Sequence, residues 1–463
     1  MFTNYSHLLR DNPVRRHHGL AVTDVDGDGA FEVVVAGFGR PNMVLKWNGT
    51  GFVDIADRTI AGVAKDALAT IAADLDGDGR EELYLLNGHA PKEDRHARHQ
   101  LLSFRDGKWI DLFSRPENQD ALNATVACAA VGLDRLGCGR YGFFVANAIG
   151  PMRLYETDEN GQLADVAPEV GLDRLSSARG LVALPLVTHQ MDVFATTDDG
   201  ANLLFCNRGD GTYKEVAEEA GLRDLYKHGR GVAVLDADGD SKFDIVYGNW
   251  EGAHRLFLQG ATGQFRNVAP QEMARSSRVR SVVAADFDND GIEEILFNNL
   301  GEPNRLFGLR NGAWRQLDIG DAWEPDSFGT GAVVGDFDGD GRLELLVAHG
   351  EAKPQPLTLY RPQPTEAGWL RVLPLTRYGA PARGAVCRLT VAGERHVRAI
   401  DAGSGYLCQM EPVAHFGLGP HRRVDRLEVC WPDGAKVSLD SPMANQLIRV
   451  PYPGSVLGKF EMG

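Results

Sequence analysis

An all-β fold built from one repeated four-stranded unit is what this sequence predicts, and three observations carry that expectation. An acidic nine-residue pattern occurs five times. The copies keep a regular spacing. Short apolar runs bounded by Gly, Asn and Asp follow each copy at matching places.

The five copies are Asp24-Val-Asp26-Gly-Asp28-Gly-Ala30-Phe-Glu32, Asp74-Leu-Asp76-Gly-Asp78-Gly-Arg80-Glu-Glu82, Asp236-Ala-Asp238-Gly-Asp240-Ser-Lys242-Phe-Asp244, Asp286-Phe-Asp288-Asn-Asp290-Gly-Ile292-Glu-Glu294 and Asp336-Phe-Asp338-Gly-Asp340-Gly-Arg342-Leu-Glu344. Each sets carboxylates at positions one, three, five and nine. Four acids this close repel one another unless a cation lies between them. Hard oxygen ligands at this density suit Ca²⁺, with the position-seven carbonyl (Ala30, Arg80, Lys242, Ile292, Arg342) as a fifth ligand. About five ions are expected on that ligand chemistry. A helical Ca²⁺ loop ends on a bidentate Glu three positions further on. Here apolar residues such as Val33-Val34-Val35 follow the last acid at once, which favours strand–loop–strand.

Two degenerate copies fill the long central gap. Asp134-Arg-Leu-Gly-Cys138-Gly-Arg-Tyr-Gly142 keeps the first acid, and Leu184-Pro-Leu-Val-Thr-His-Gln-Met-Asp192 keeps the last; neither is expected to bind metal. The seven units start at 24, 74, 134, 184, 236, 286 and 336. In each, a small-residue strand (Gly231-Val-Ala-Val-Leu235) enters the loop and an apolar strand (Ile245-Val-Tyr247) leaves it. A third strand (Arg255-Leu-Phe-Leu258) and a fourth after a Gly (Gly263-Gln-Phe265-Arg-Asn-Val268) complete the unit. Four-stranded blades around an axis are the all-β solution at this size, so the expected fold is a seven-bladed β-propeller with Ca²⁺ loops between strands one and two. The last unit lacks its fourth strand. Met1-Phe2-Thr-Asn-Tyr5 resembles one, so the N-terminus is expected to close the ring and remove a sheet edge. Residues 1–365 are assigned to the propeller and 366–463 to a small C-terminal β domain.

The acidic units resemble FG-GAP (integrin α-type) repeats. The segment after 366 resembles the ASPIC/UnbV domain of the cartilage acidic protein family. That likeness rests on Gly384-Ala-Val386, Ala402-Gly-Ser-Gly-Tyr406, His415-Phe-Gly-Leu-Gly419, Val424-Asp425 and Trp431-Pro-Asp-Gly434. The resemblance, to a bacterial-type member, implies a Ca²⁺-binding propeller with a C-terminal β domain. It also implies either association with extracellular matrix or a place in natural-product biosynthesis.

The formal charge is −16, and five Ca²⁺ would reduce it to about −6, so much of the acidity is ligand set. A pI near 5.3 disfavours nucleic acid as a partner. No apolar run is long enough for a membrane helix. The first residues show no apolar signal segment, which points to the cytoplasm, or to secretion if a signal has been removed. The six cysteines show no CxxC pair and are expected as thiols, with Cys387–Cys408 or Cys408–Cys430 as the conceivable bridges. Trp431 and Phe416 read as core residues. Oligomeric state is not legible.

The face opposite the acidic loops has a different composition. Segments entering the first strands carry Arg16-His17-His18, Arg179, His228, Arg230 and Arg280; the turns after the second strands carry Arg40, His89, Arg95, His96, His99, Trp250, His254 and His349. An acidic chain thus gathers Arg and His at the mouth of its axis. The expected ligand-binding residues are Arg16, His17, His18, Arg179, His228, Arg230, Arg280 and Trp250. A positive funnel favours an anionic or carbonyl-bearing ligand, a small molecule or a protein. His96-x-x-His99 could hold a transition metal, but a solvated loop is the simpler reading. No GxSxG, HExxH, P-loop or strand-borne GxGxxG occurs. A non-catalytic Ca²⁺-binding ligand-capture module is therefore the first functional reading. The alternative is a biosynthetic cyclase or isomerase using His18, His228, Arg230, Trp250 and His254.

Overall fold

The structure, a computed structural model, describes residues 1–62, 66–88, 98–148, 150–158 and 160–455; His89, Arg95 and His96 lie outside them. Seven four-stranded antiparallel sheets repeat along the chain among the described residues, followed by two further sheets of three and four strands. Their first strands are His17–Thr23, Ala67–Ala73, Ala127–Leu133, Ala178–Leu184, Gly229–Leu235, Val279–Ala285 and Gly329–Gly335. These seven pack in succession, and Gly329–Gly335 packs on His17–Thr23, so the array is a closed ring of blades. The seventh blade takes its outer strand from Phe2–Asn4, which pairs antiparallel with Thr358–Pro362.

Small residues fill the inner strands because seven strands converge on one axis. A side chain at Gly180 would meet the Arg230 carbonyl at 2.3 Å. Between blades the core is built from Leu, Val, Ile and aromatic side chains of the second and third strands, such as Val35, Leu45, Leu346 and Leu359. Burial of such surface is the main favourable contribution to the fold.

The C-terminal region forms a three-stranded sheet, Gly368–Pro374 between Ala414–Gly419 and Leu447–Val450, and a four-stranded sheet running Glu394–Ala399, Val386–Val391, Arg426–Cys430 and Lys436–Asp440. Phe416 and Trp431 are buried in their shared core. This cap sits on the acidic-loop face. Arg383 pairs with Glu81 at 2.9 Å, Arg371 with Asp336 at 3.0 Å, and Arg449 donates to the Gly29 carbonyl at 2.6 Å. All six cysteines are free, so neither conceivable bridge forms.

Between the cap strands, residues 401–411 run into the axis. Ala402 exchanges two backbone hydrogen bonds with Ala183, and Gly405 two with Val232. The Gln409 side chain accepts from the Ala72 N–H at 2.6 Å and donates to the Ala72 carbonyl at 2.8 Å. The Leu407 carbonyl lies so near Gly19 that a Cβ there would come within 1.9 Å of it. The axis is therefore plugged by the chain's own C-terminal domain.

Candidate metal loops and an axial funnel

Each acidic loop is shaped by its own carboxylates. Asp24 Oδ1 accepts from Gly27 N–H at 2.7 Å and its Oδ2 from Gly29 N–H at 2.9 Å, and both glycines have left-handed φ. The position-nine acid closes the loop in every copy by accepting from the position-two N–H. The pairs are Glu32–Val25, Glu82–Leu75, Asp244–Ala237, Glu294–Phe287 and Glu344–Phe337, at 2.8 to 3.0 Å.

Five carboxylate triads result, each with one oxygen per residue within 4.8 Å of the others. They are Asp24/Asp26/Glu32, Asp74/Asp76/Asp78, Asp236/Asp238/Asp244, Asp286/Asp288/Asp290 and Asp336/Asp338/Glu344. Burial holds several far above the usual carboxylate range. Glu32, Asp74, Asp244 and Asp286 rise to about 7, Glu82 to about 8 and Glu294 to about 9, with neighbouring carboxylates adding to the effect. Asp336 Oδ1 is buried with no partner, while Glu32 Oε1 and Glu344 Oε1 make no hydrogen bond and have only a cation near, Lys46 at 3.3 Å and Arg361 at 3.4 Å. Buried carboxylate oxygens crowded on one point, one of them wholly unpartnered, fit a divalent cation. The remnant loops differ. The Asp134 carboxylate is taken up by the N–H groups of Cys138 and Gly139, and Asp192 by Val187, Thr188 and Asn207.

Basic side chains from the third strands also reach the acids, a feature the sequence reading missed. Lys46 is 2.6 Å from Asp28, Arg105 2.7 Å from Asp76, and Arg310 2.6 Å from Asp288; Arg361 pairs with Asp338.

The funnel on the other face has a backbone cause. All seven inner strands carry a register shift near that end, between His17/Leu20, Ala67/Ala69, Ala127/Ala129, Ala178/Gly180, Gly229/Val232, Val279/Ser281 and Gly329/Gly331. A bulge re-aims a side chain. The side chains within the bulges are His18, Leu68, Cys128, Arg179, Arg230, Arg280 and Thr330, one per blade (Gly19 and Gly231 being the other bulged residues).

Four of the residues predicted for the site thus hold equivalent ring positions: His18, Arg179, Arg230 and Arg280. Arg280 forms a bidentate pair with Glu351 at 2.7 and 2.5 Å, and lies 4.0 Å from the Trp250 ring centre and 5.7 Å from that of Tyr406. Arg230 donates to Asp198 at 2.7 Å, and Arg179 lies 3.1 Å from the other oxygen of the same carboxylate. Arg179 also reaches Cys128 Sγ at 3.4 Å. Exposed His228 sits 3.3 Å from Asp198 with φ of 55°, a backbone state unusual outside glycine. Arg16 is exposed nearby. Burial lowers the His18 imidazole to about 4, so it is neutral at pH 7.

Asp198, Glu351 and Tyr406 complete the funnel, and the sequence reading missed all three. Burial alone would raise both acids, but Arg230 and Arg280 outweigh it and hold them below the usual range.

Other predicted residues point elsewhere. His254 is wholly buried between the blades, stacked on Phe297 at 4.8 Å, with Nε2 2.9 Å from Ser277 Oγ. His17 is fully buried with Nε2 toward the Pro13 carbonyl at 3.4 Å. His99 bonds the Thr125 carbonyl and His349 bonds Glu324, both buried. These four serve blade packing and do not face the axis.

A ring of blades with acidic loops on one face and a β cap plugging its axis defines the class: an FG-GAP repeat propeller joined to an ASPIC/UnbV domain. The FG-GAP-like repeat pattern matches residues 24–85, 189–247 and 236–297, and the ASPIC and UnbV pattern matches 376–456. The chain belongs to the cartilage acidic protein 1 family. It is 44% identical to cartilage acidic protein 1 of Xenopus tropicalis over 96% of this chain and 74% of that protein, and 42% identical to that of Homo sapiens over 96% and 73%. Among solved structures it resembles BBS1N in complex with ARL6DN, with TM-score 0.49 and 11% identity over 79% of this chain and 98% of that one.

Proposed function

We propose that this chain is a calcium-binding propeller that captures a ligand, a small molecule or a protein, at the Arg- and His-lined funnel. The observation that carries the reading is the ring of bulges. A register shift kept in all seven inner strands places one bulged side chain per blade at that end of the ring, and four of those seven are Arg or His. The metal loops lie on the far face, so the ions rigidify blades and do not touch ligand. The cation is calcium because each loop offers only hard oxygens. The relatives' name associates them with cartilage, which supports the secreted alternative over the cytoplasm. Among the described residues no helix is long and apolar enough to cross a membrane.

A screen of small carboxylic acids and carbonyl compounds by thermal shift tests the reading, since a ligand that binds only the folded form raises the melting temperature. Hits are expected on the wild type and should be lost in the double variant Arg179→Ala/Arg230→Ala; hits that survive it overturn the reading. The enzymatic alternative rests on His18, a neutral imidazole at the funnel wall. It requires turnover of a bound compound that His18→Asn abolishes while binding persists.

A further inference from the structure

The funnel is not uniform around its axis. Blades four, five and six supply Arg179, Arg230 and Arg280 in succession, while blades two and three supply Leu68 and Cys128. The mouth therefore has a cationic arc and, beside it, a neutral arc in which Cys128 is buried against Arg179. The three guanidiniums are not equally free. Arg280 is saturated by its bidentate pair with Glu351 and stacked on Trp250, so it is a wall. Arg179 keeps a buried Nε with no partner. Arg230 spends Nη1 on Asp198 and on two backbone carbonyls, leaving Nε and Nη2 without a hydrogen bond. Asp198 is thus one carboxylate shared by two arginines. The plug closes the axis below, with Tyr406 against Arg280. A cup with a floor suits a small molecule and not a threaded peptide.

We propose, building on the funnel reading above, that the ligand is a small amphipathic acid: its carboxylate meets Arg179 and Arg230, and its apolar body lies toward half-buried Leu68. A planar carboxylate matches the guanidinium fork, and a charge-assisted pair in a half-buried cup is stronger than a neutral hydrogen bond. Leu68 adds affinity for the body in proportion to the surface it covers.

Octanoate, octanol, octylammonium and acetate serve as probes, followed by calorimetry on the full chain with calcium present. Octanoate is expected to bind at least about tenfold tighter than octanol, with acetate and octylammonium weaker still. Arg230→Gln should bring octanoate down to the octanol level and leave octanol unchanged; Leu68→Asn should weaken both. Arg230→Lys should keep the preference for the acid. Arg179→Gln replaces Arg230→Gln if that variant does not fold by circular dichroism. Octanol binding as tightly as octanoate, with both weakened by Leu68→Asn, overturns the ligand class and leaves the funnel as a binding site. Binding of both probes that neither Arg230→Gln nor Leu68→Asn alters overturns the funnel reading too. No binding by octanoate overturns the proposal outright.

Discussion

The guanidinium of Arg280 lies 5.7 Å from the ring centre of Tyr406, and this contact joins the C-terminal domain to the funnel of the propeller. Tyr406 reaches that point because residues 401–411 hydrogen-bond to inner strands on opposite sides of the ring, at Ala183, Val232, Leu20 and Val22. At its other end the cap rests on the acidic loops. Gly417 N–H donates to Asp286 at 2.9 Å, and Arg371 to Asp336 at 3.0 Å.

Metal removal should therefore be felt on both faces. Excess EDTA is expected to lower the melting temperature by several degrees, because the ions bind only the folded loops. It should also raise amide exchange in residues 401–411, measured by hydrogen exchange with mass spectrometry. A melting curve unchanged by EDTA rejects structural calcium.

Asp338→Ala takes one ligand from the triad Asp336/Asp338/Glu344. It should remove one calcium per chain in elemental analysis and lower stability by about 1–3 kcal/mol, in the range of a lost polar network. Octanoate binding at the distant funnel should be unaffected.

Breaking the buried Arg383–Glu81 pair at the cap interface should be costly. Arg383 is fully buried and Glu81 nearly so. Glu81→Ala leaves a buried cation unpaired and is expected to cost about 3–5 kcal/mol. Denaturant unfolding of Glu81→Ala beside the double variant Glu81→Ala/Arg383→Met checks this, and the double variant should recover part of the loss.

Burial lowers His254 from its ordinary value to about 3, with Arg305 and Arg255 adding to the effect. The unfolded chain then binds the proton that the folded one refuses. This contribution to stability is full above about pH 6.5 and is lost as pH falls toward the folded value. His254→Gln should flatten the fall in melting temperature between those limits relative to wild type; parallel curves would contradict it.

Asp198 neutralises part of the cationic arc by bonding Arg230 and facing Arg179. Asp198→Asn should raise affinity for octanoate several-fold and leave octanol unchanged, with a modest loss of stability. Equal or weaker octanoate binding in titration would place the free charge elsewhere.

The acidic loops were legible in the sequence because their carboxylates recur at fixed spacings, and the structure gathers them into clusters. The closing strand Phe2–Asn4 was legible because it repeats the character of the other outer strands. The funnel was legible in composition but not in cause. A register shift such as that between Ala178 and Gly180 leaves no mark on residue type. His254 and His349 were indistinguishable from His18 in sequence, since a strand-end His can face the axis or the blade interior, and only packing decides. Asp198 and Glu351 carry no mark in the sequence, because the arginines they bond, Arg230 and Arg280, come from other blades. The plug was visible as a glycine-rich motif, but its contacts join residues more than two hundred positions apart, such as Ala183 and Ala402.

The plug also dictates an order of events during synthesis. Every blade emerges from the ribosome before residues 401–411 do, so the nascent ring must wait with a hollow centre and unmet backbone groups on its inner strands. Shortening the chain ahead of the plug would leave that hollow permanently wet, and ring and cap must therefore mature as one body.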